Sequence, residues 1–330
     1  EEEKGIKTIK LVSEFCNAKL KGSFRILEMA SSMKSVISKY LPSYVSAAIV
    51  KKAAQQNFEY SFLFKKTEAV TRLFTPGIEI APQTQIKGNF NSLSNTISMD
   101  GTSDKLKVYG YVFANWKLNG SSSNEQLQLN MSSSKLYLSD SLWLTDFAVK
   151  TNTRSDSVNL KVDWDNKKTS NLYKGDLSAF LNFHADKTIQ FKIQPSSFVI
   201  ADSVWNVNKA NDVLIDSSYV TIKDLMFEHD GQSIAVNGII SDNSKDALRL
   251  ALNDFNLANL NVFTKQMGLK LQGRTTGESN VLDFYHSMVF TSNTNFKSLF
   301  VNGEEIGDGD AETVWDKGRE ALYMHGTFTL

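Results

Sequence analysis

From Phe58 onward the chain alternates apolar and polar residues with a period of two, and no other feature restricts its fold as much. In "KLYLSDSLWLTDFAV" the apolar places are Leu136, Leu138, then Leu142, Leu144, then Phe147, Val149. In "IQFKIQPSSFVI" they are Ile189, Phe191, Ile193, then Phe198, Ile200, and in "LRLALNDFNL" they are Leu248, Leu250, Leu252, then Phe255, Leu257. Successive side chains of a strand point to opposite faces, so this pattern makes strands that are apolar on one side and wet on the other. Turn clusters such as "SDN", "EHDGQ" and "DNKKT" recur at short intervals. They join the strands as hairpins and make the sheets antiparallel. Helix-length segments between the strands are lacking, which argues against a doubly wound parallel sheet. Three all-β outcomes remain: closed sandwiches, a β-solenoid, or a sheet curled lengthwise into a trough with its apolar face inside.

One stretch breaks the alternation. "FRILEMASSMKSVISKYLPSYVSAAIVKKAAQQ" sets Ile26, Ala30, Met33, Ile37 and Tyr40 at steps of three and four, which predicts a helix with one apolar stripe. Pro42 interrupts it, and a second helix is expected from about Ser43 to Gln56, with Val45, Ala48 and Ile49 inward. An amphipathic helical pair packed on a sheet is expected, in preference to one that caps a groove or lies on a membrane.

A phrase is written twice, 151 places apart. Trp164, Asp165, Gly175 and Leu177 fall on Trp315, Asp316, Gly326 and Phe328 without a gap. In both copies a Trp begins the turn and a Gly follows on the return strand, where a glycine often marks a bulge or a sheet corner. Gly88 in "TQIKGNF" and Gly273 in "LKLQGRT" read the same way. Repetition favours serial architectures built from successive sheet segments. The expected organisation is an N-terminal strand segment over 1–23, a helical hairpin insertion over 24–57, a first β segment over 58–188 and a second over 189–330.

Lys+Arg and Asp+Glu are equal at 36 each, and no stretch supplies the cationic excess of a nucleic-acid binder. The single cysteine, Cys16, rules out a disulfide within the chain, which suits a cytosolic protein and equally a periplasmic one without bridges. No run of 18 apolar residues and no n-region followed by an h-region are present, so neither a membrane span nor a signal peptide is expected within these residues. With no initial Met and a last phrase, "GTFTL", that reads as mid-strand, the chain is expected to be a piece of something longer.

Catalytic patterns are weak. His184, His229, His286 and His325 are scattered without metal-ligand spacing. "GDGDAE" sets Asp308, Asp310 and Glu312 two apart, but the sixth and twelfth places of a calcium loop hold Thr313 and Arg319, so a hairpin turn is expected there. Asp163 and Asp165 share a strand face, yet the second copy of the phrase has Val314 in place of Asp163. Cys16 lacks a CxxC partner and is expected to be a buried or idle thiol. Trp116, Trp143, Trp164, Trp205 and Trp315 read as core or sheet-corner residues before they read as a carbohydrate platform.

The segment "SIAVNGIISDNSKDALRLALNDFNLANLNVFTKQMGLKLQGRTTGES", residues 233–279, resembles the TamB branch of the AsmA-like superfamily. An apolar-x-Gly strand (Val236 to Gly238) and an alternating strand (Leu248 to Leu252) lead to an F-x-L-x-x-L step at Phe255, Leu257 and Leu260. A short helical link (Val262 to Met267) and a second apolar-x-Gly strand (Leu269, Leu271, Gly273) follow. "SLFVNGEEIGDGDAETVWDKGREALYMHGTFTL" continues the likeness, which is clearest over about 185–330, and the "KYLPSYV" hairpin is similar to an insertion of Bacteroides-type members. The resemblance implies an all-β, elongated, curled antiparallel sheet (a β-taco, groove-like) with a greasy inner face. It implies a periplasmic protein, tethered to the inner membrane through an N-terminal segment outside this chain. An outer-membrane partner of the Omp85 class would contact regions also outside it, and the work would be outer-membrane protein assembly or lipid traffic between membranes.

The resulting expectation is a non-enzymatic protein that needs no cofactor and no metal and holds phospholipid or another lipid in an apolar slot. Its lining is expected from Ile189, Phe191, Ile193, Phe198, Ile200, Val220, Ile222, Leu225, Phe227, Ile234, Val236, Leu248, Leu250, Leu252, Phe255 and Leu257. In a closed sandwich the same residues would be core, because one-sided alternation is common to both. Rival readings are a polysaccharide-binding or lyase-like β protein of the cell envelope, and a purely structural or adhesive β repeat.

Overall fold

The computed structural model describes residues 2–3, 5–45, 55–123, 125–139, 142–166, 173–200, 202–264, 268–316 and 321–330. Strands account for 66% of the structure and helices for 8%, so the chain is all-β, and its strand pairings are antiparallel. Tight turns follow the residues that permit them. Asp230-Gly231 and Asn302-Gly303 both take positive φ at each position (44° and 75°, 55° and 90°). That is the primed turn whose twist matches the flanking strands.

Contacts divide the chain into two compact units, residues 1–168 with 180–187, and residues 169–179 with 188–330. In the first unit the strands Ile6–Val12, Cys16–Ser23, Asn57–Phe64, Gln85–Asn91, Thr96–Val108, Tyr111–Ser122, Leu127–Tyr137, Trp143–Arg154 and Ser157–Asp165 pair in succession. Between Ser23 and Asn57 the chain leaves the sheet. A 3-10 turn, Ile26–Glu28, runs into the helix Met29–Ile37. The helix buries Val36 and Tyr40 with Phe24 against Phe58 and Phe90, with Met29 and Met33 packed beside them.

The buried stripe is therefore rotated from the predicted one. Met33 and Tyr40 are shared, but Ile26 and Ala30 are exposed, and Val36 takes the inward place given to Ile37. Ser32 explains the rotation: it is fully buried, and its hydroxyl accepts from Gln56 Nε2 at 2.8 Å, which fixes that polar side inward. The expected second helix falls mostly on residues 46–54, outside the described residues. A short helix that the alternation hid, Glu68–Phe74, also interrupts this unit.

In the second unit, Ile189–Ile193 pairs with Asp212–Ile215 and Ser196–Ile200 with Ser203–Val207. Asp212–Ile215 and Ser203–Val207 both meet Tyr219–His229. Then Gln232–Ser241, Ala247–Asn256, Leu271–Leu282, Val289–Val301, Glu304–Asp316 and Ala321–Thr329 follow in order. Register shifts at Ile222/Leu225 and Leu252/Phe255 are built on Asp224 and Asp254 at φ 52° and 46°. Neighbouring strands satisfy the displaced amides: Asp224 N–H donates to Asn237 Oδ1 (2.7 Å) and Asp254 N–H to Thr276 Oγ1 (2.9 Å). A step of three would turn Leu225 away from the face that holds Ile222. The bulge absorbs the extra residue and keeps both on one side.

Of the glycines read as bends, Gly273 is one, with φ 108° at a register shift. Gly88, Gly175 and Gly326 pair in regular register. Gly88 is small because Tyr60 crosses it: an added Cβ would sit 2.6 Å from Tyr60 Oη and 2.0 Å from Ser98 O. Trp164 and Trp315 each stand one residue from the end of their strands, as the repeat implies, and the turns after them lie outside the described residues. "GDGDAE" is not a turn but the middle of Glu304–Asp316. Asp308 Oδ1 accepts from Ser298 N–H (2.7 Å) and Asp310 Oδ1 from Asn295 Nδ2 (3.0 Å).

Candidate functional site

Register places the expected slot residues on one face. Phe191 lies opposite Val213, Val213 opposite Ile222, Ile222 opposite Gly238, and Gly238 opposite Leu248. The line continues through Val281 and Phe290 to Trp315. Parallel lines run Leu225–Val236–Leu250 and Phe227–Ile234–Leu252. Phe198 faces Trp205, and Val207, two residues further on, faces Phe227. Ile189 pairs with Ile215, and Ile215 with Val220. Ile193 and Ile200 share the side of Phe191 and Phe198 by alternation.

Burial distinguishes a trough from a sandwich. Fourteen of the sixteen residues are half-buried, and only Phe255 and Leu257 are buried (3% and 5% exposed). A face sealed by a second sheet would bury its central leucines and isoleucines. Here none of the fourteen is buried and none is exposed, so the row is covered only in part.

The face deepens at one place. Phe198, Ile200, Trp205, Phe227, Ile234, Phe255, Asn259 and Leu260 line a depression of about 230 Å³ in which nearly all the lining surface is apolar. Trp205 forms its floor, with its ring 5.9 Å from that of Phe255 and 5.3 Å from that of His229. The 3-10 turn Leu257–Leu260 borders the depression. Asn256 starts that turn and accepts from Ala258 N–H through Oδ1 (3.0 Å). Leu257 is therefore not a strand position lining a slot, as the alternation implied. It is the first residue of the turn, and its side chain is buried. Asn259 brings an unmatched group: its Nδ2 is buried and has no hydrogen-bond partner. Trp205, Asn259 and Leu260 were not among the expected lining residues: Trp205 was read as core or a sheet corner and Leu260 only as part of the F-x-L-x-x-L step. Trp205 could have been found, since "SVWNV" alternates in phase with Phe198.

Beyond Leu250 and Leu252 the lining changes. The partners become Ser279, Ser292 and Thr313 on one line, and Gly277, Thr294, Ala311 and Gly326 on the next. Ser279, Thr294 and Ala311 are buried, so the face there is narrow and packed by small residues. The apolar lining is broad only over the strands between Ile189 and Phe255.

In the first unit a second depression, of about 300 Å³, lies among Lys19, Lys21, Glu59, Lys87 and Asp100. It mixes charges of both signs on a solvated sheet face, and that lining suits no single ligand. Among the described residues no three His, Cys, Asp or Glu are placed to hold a metal ion. His229 Nδ1 contacts Val204 O (2.8 Å) and His286 Nδ1 contacts Asp283 Oδ1 (3.1 Å). Burial pushes the Cys16 thiol up, away from thiolate, against weaker opposing pulls from the Leu63 backbone and Lys65. Trp116 is buried against Gly101, and Trp205 is buried apart from the part of it that lines the apolar depression, so neither stands on the surface as a carbohydrate platform.

Fold and site define an all-β protein with a one-sided apolar face. Compared with known proteins, the chain matches no family model, no curated protein and no solved structure. Among the described residues no helix is long and apolar enough to cross a membrane.

Proposed function

We propose that the apolar face between Ile189 and Phe255 holds the acyl chains of a lipid, and that the protein is a non-enzymatic component of cell-envelope biogenesis. The observation that carries this is the half-buried state of fourteen in-register apolar residues on one face, with a depression lined by apolar side chains at its deepest point. About 230 Å³ has room for roughly seven groups the size of a water molecule, and a methylene is of similar size. At about 0.8 kcal/mol per methylene removed from water, the depression alone offers roughly 5 kcal/mol before ordering costs. A continuous apolar strip beside it lets a chain slide without crossing a polar barrier. Such a task uses no acid, base or metal.

The resemblance to the TamB branch supports the same reading and extends it. On that resemblance the protein would work in the periplasm, carrying phospholipid between membranes or assisting outer-membrane protein assembly. An Omp85-class partner would engage regions outside this chain.

Photo-crosslinking from position 250 in cells tests the proposal. A photoreactive residue in place of Leu250 is expected to give lipid adducts that organic extraction recovers and mass spectrometry identifies. Adducts to protein alone, with none to lipid, overturn it.

A further inference from the structure

We infer that one rim of the first unit docks on an anionic membrane surface. Three successive connections meet at this rim. The tip of the first hairpin is tied to the segment before the helix Glu68–Phe74, with Lys65 N–H donating to Phe15 O (2.7 Å) and Lys66 N–H to Glu14 O (3.3 Å). The residues after that helix are tied to the next hairpin tip, with Tyr109 N–H donating to Gly77 O (2.7 Å). The Tyr109 ring lies where a side chain on Gly77 would stand. The rim is thus fixed by the backbone.

Its side chains are four of the five most exposed large apolar residues of the unit, Leu27 at 98% being the other. Val12 is 77% exposed, Leu73 and Phe74 73% each, and Tyr109 74%. Singly exposed apolar residues need no explanation, but several on adjoining connections form a patch of the kind that marks an interaction surface. Charge identifies the partner. Lys10, Lys66 and Arg72 are exposed at the same rim, and among the described residues none has a carboxylate within salt-bridge distance. Lys65 donates to Ser13 O (3.0 Å) and adds a further cation at the tip. Glu14 and Glu68 are the opposing acids nearby in sequence, so cations exceed anions here in a chain of zero net charge. Leu, Phe and Tyr set among Lys and Arg match the boundary between lipid headgroups and hydrocarbon. A strand added to the edge of Ile6–Val12 beyond the residues that Glu2–Glu3 pairs is the competing occupant, and Lys10 on that stretch guards against it.

The inference stands apart from the lipid slot and is tested on the whole chain by co-sedimentation with vesicles. Phosphatidylcholine vesicles are compared with vesicles carrying about 30% phosphatidylglycerol, at low salt and at about 0.5 M salt. Binding to the anionic vesicles alone, lost at high salt, is expected. Leu73→Ser with Phe74→Ser, and separately Lys10→Glu with Lys66→Glu, should each weaken it about tenfold or more. These side chains are exposed, so the thermal melting of both variants should match the parent. Four outcomes overturn the inference: no binding to anionic vesicles, equal and salt-independent binding to both kinds, binding that both double variants retain, or self-association without vesicle binding that the Leu73/Phe74 variant abolishes.

Discussion

Replacing Leu250 by arginine separates an uncovered apolar face from a sealed core. Leu250 lies between Val236 and Ser279 on adjacent strands and is half-buried. Full burial of a leucine contributes about 1.5–3 kcal/mol, and most of that is at stake because the greater part of the side chain is covered. An arginine in its place can lay its stem along Val236 and turn its guanidinium to water, because no opposing layer blocks it. The expected cost is about 1–2 kcal/mol. Phe255→Arg is the internal comparison. Phe255 is 3% exposed and packs against Trp205, so a charge there has no route to solvent, and about 4 kcal/mol or more should be lost. Urea unfolding followed by circular dichroism, with limited proteolysis as a second readout, compares the two variants with the parent. Equal losses for both, or an insoluble Leu250→Arg protein, would show position 250 to be enclosed and would refute the trough. A folded Leu250→Arg protein should also carry less co-purifying lipid than the parent.

Gly88→Ala should cost about 1–3 kcal/mol in urea unfolding, because its Cβ would meet Ser98 O at 2.0 Å and the Tyr60 hydroxyl at 2.6 Å; a neutral result refutes the close approach. Burial, with a smaller contribution from Asp100, raises the Tyr60 phenol above its ordinary value. The folded state then keeps that proton to higher pH than the unfolded chain. This share of stability is complete below pH ~10 and is lost as pH rises through the folded value. Tyr60→Phe should therefore flatten the alkaline fall of Tm above pH ~10, and an unchanged fall counts against the assignment. Asn259→Leu removes a buried donor without a partner, so without ligand it should leave stability unchanged or raise it by up to about 1–3 kcal/mol. A loss would mean that Asn259 Nδ2 is satisfied in solution.

The strands were legible because their alternation runs through most of their length and many of the described turns carry Asp, Asn or Gly, although Tyr109 takes a positive φ (48°) at one hairpin tip. The one-sided character of the face was legible for the same reason. The bulges could have been read as well: Leu144 to Phe147, Ile222 to Leu225 and Leu252 to Phe255 are steps of three within alternating runs, and an aspartate at positive φ, Asp146, Asp224 or Asp254, stands within each step. Other features depend on partners that local pattern does not name. The stripe of Met29–Ile37 is set by Gln56, which follows it by about twenty residues and claims Ser32. Glu68–Phe74 has too few inward residues to show a helical period, since its Leu73 and Phe74 face solvent. Gly88 looked like a bend because a glycine's neighbour across the sheet, here Tyr60, is invisible in one strand's sequence.

Openness of the apolar face follows from where the insertions enter. In each unit the only elements that can cover an antiparallel meander are those placed in its connections, and each covers just the strip of face that it reaches. In the first unit Met29–Ile37 reaches Phe58 and Phe90 and buries them, while Phe62 and Phe64, further along the same strand and face, stay half-buried. Tyr40 holds the insertion down with its one hydroxyl proton, shared between Ser123 O (2.6 Å) and Asn95 O (2.9 Å) on the backbones of two hairpin connections. In the second unit the Leu257–Leu260 turn covers Phe255 and stops there. The strips left over still contain Phe, Ile and Leu in register, and water is a poor neighbour for them. Where the face is packed, the strands from Leu271 onward carry Ser279, Thr294 and Ala311 in place of large apolar residues. Large apolar side chains kept on the partly covered strip, with small ones where the face is packed, fit the apolar ligand proposed above.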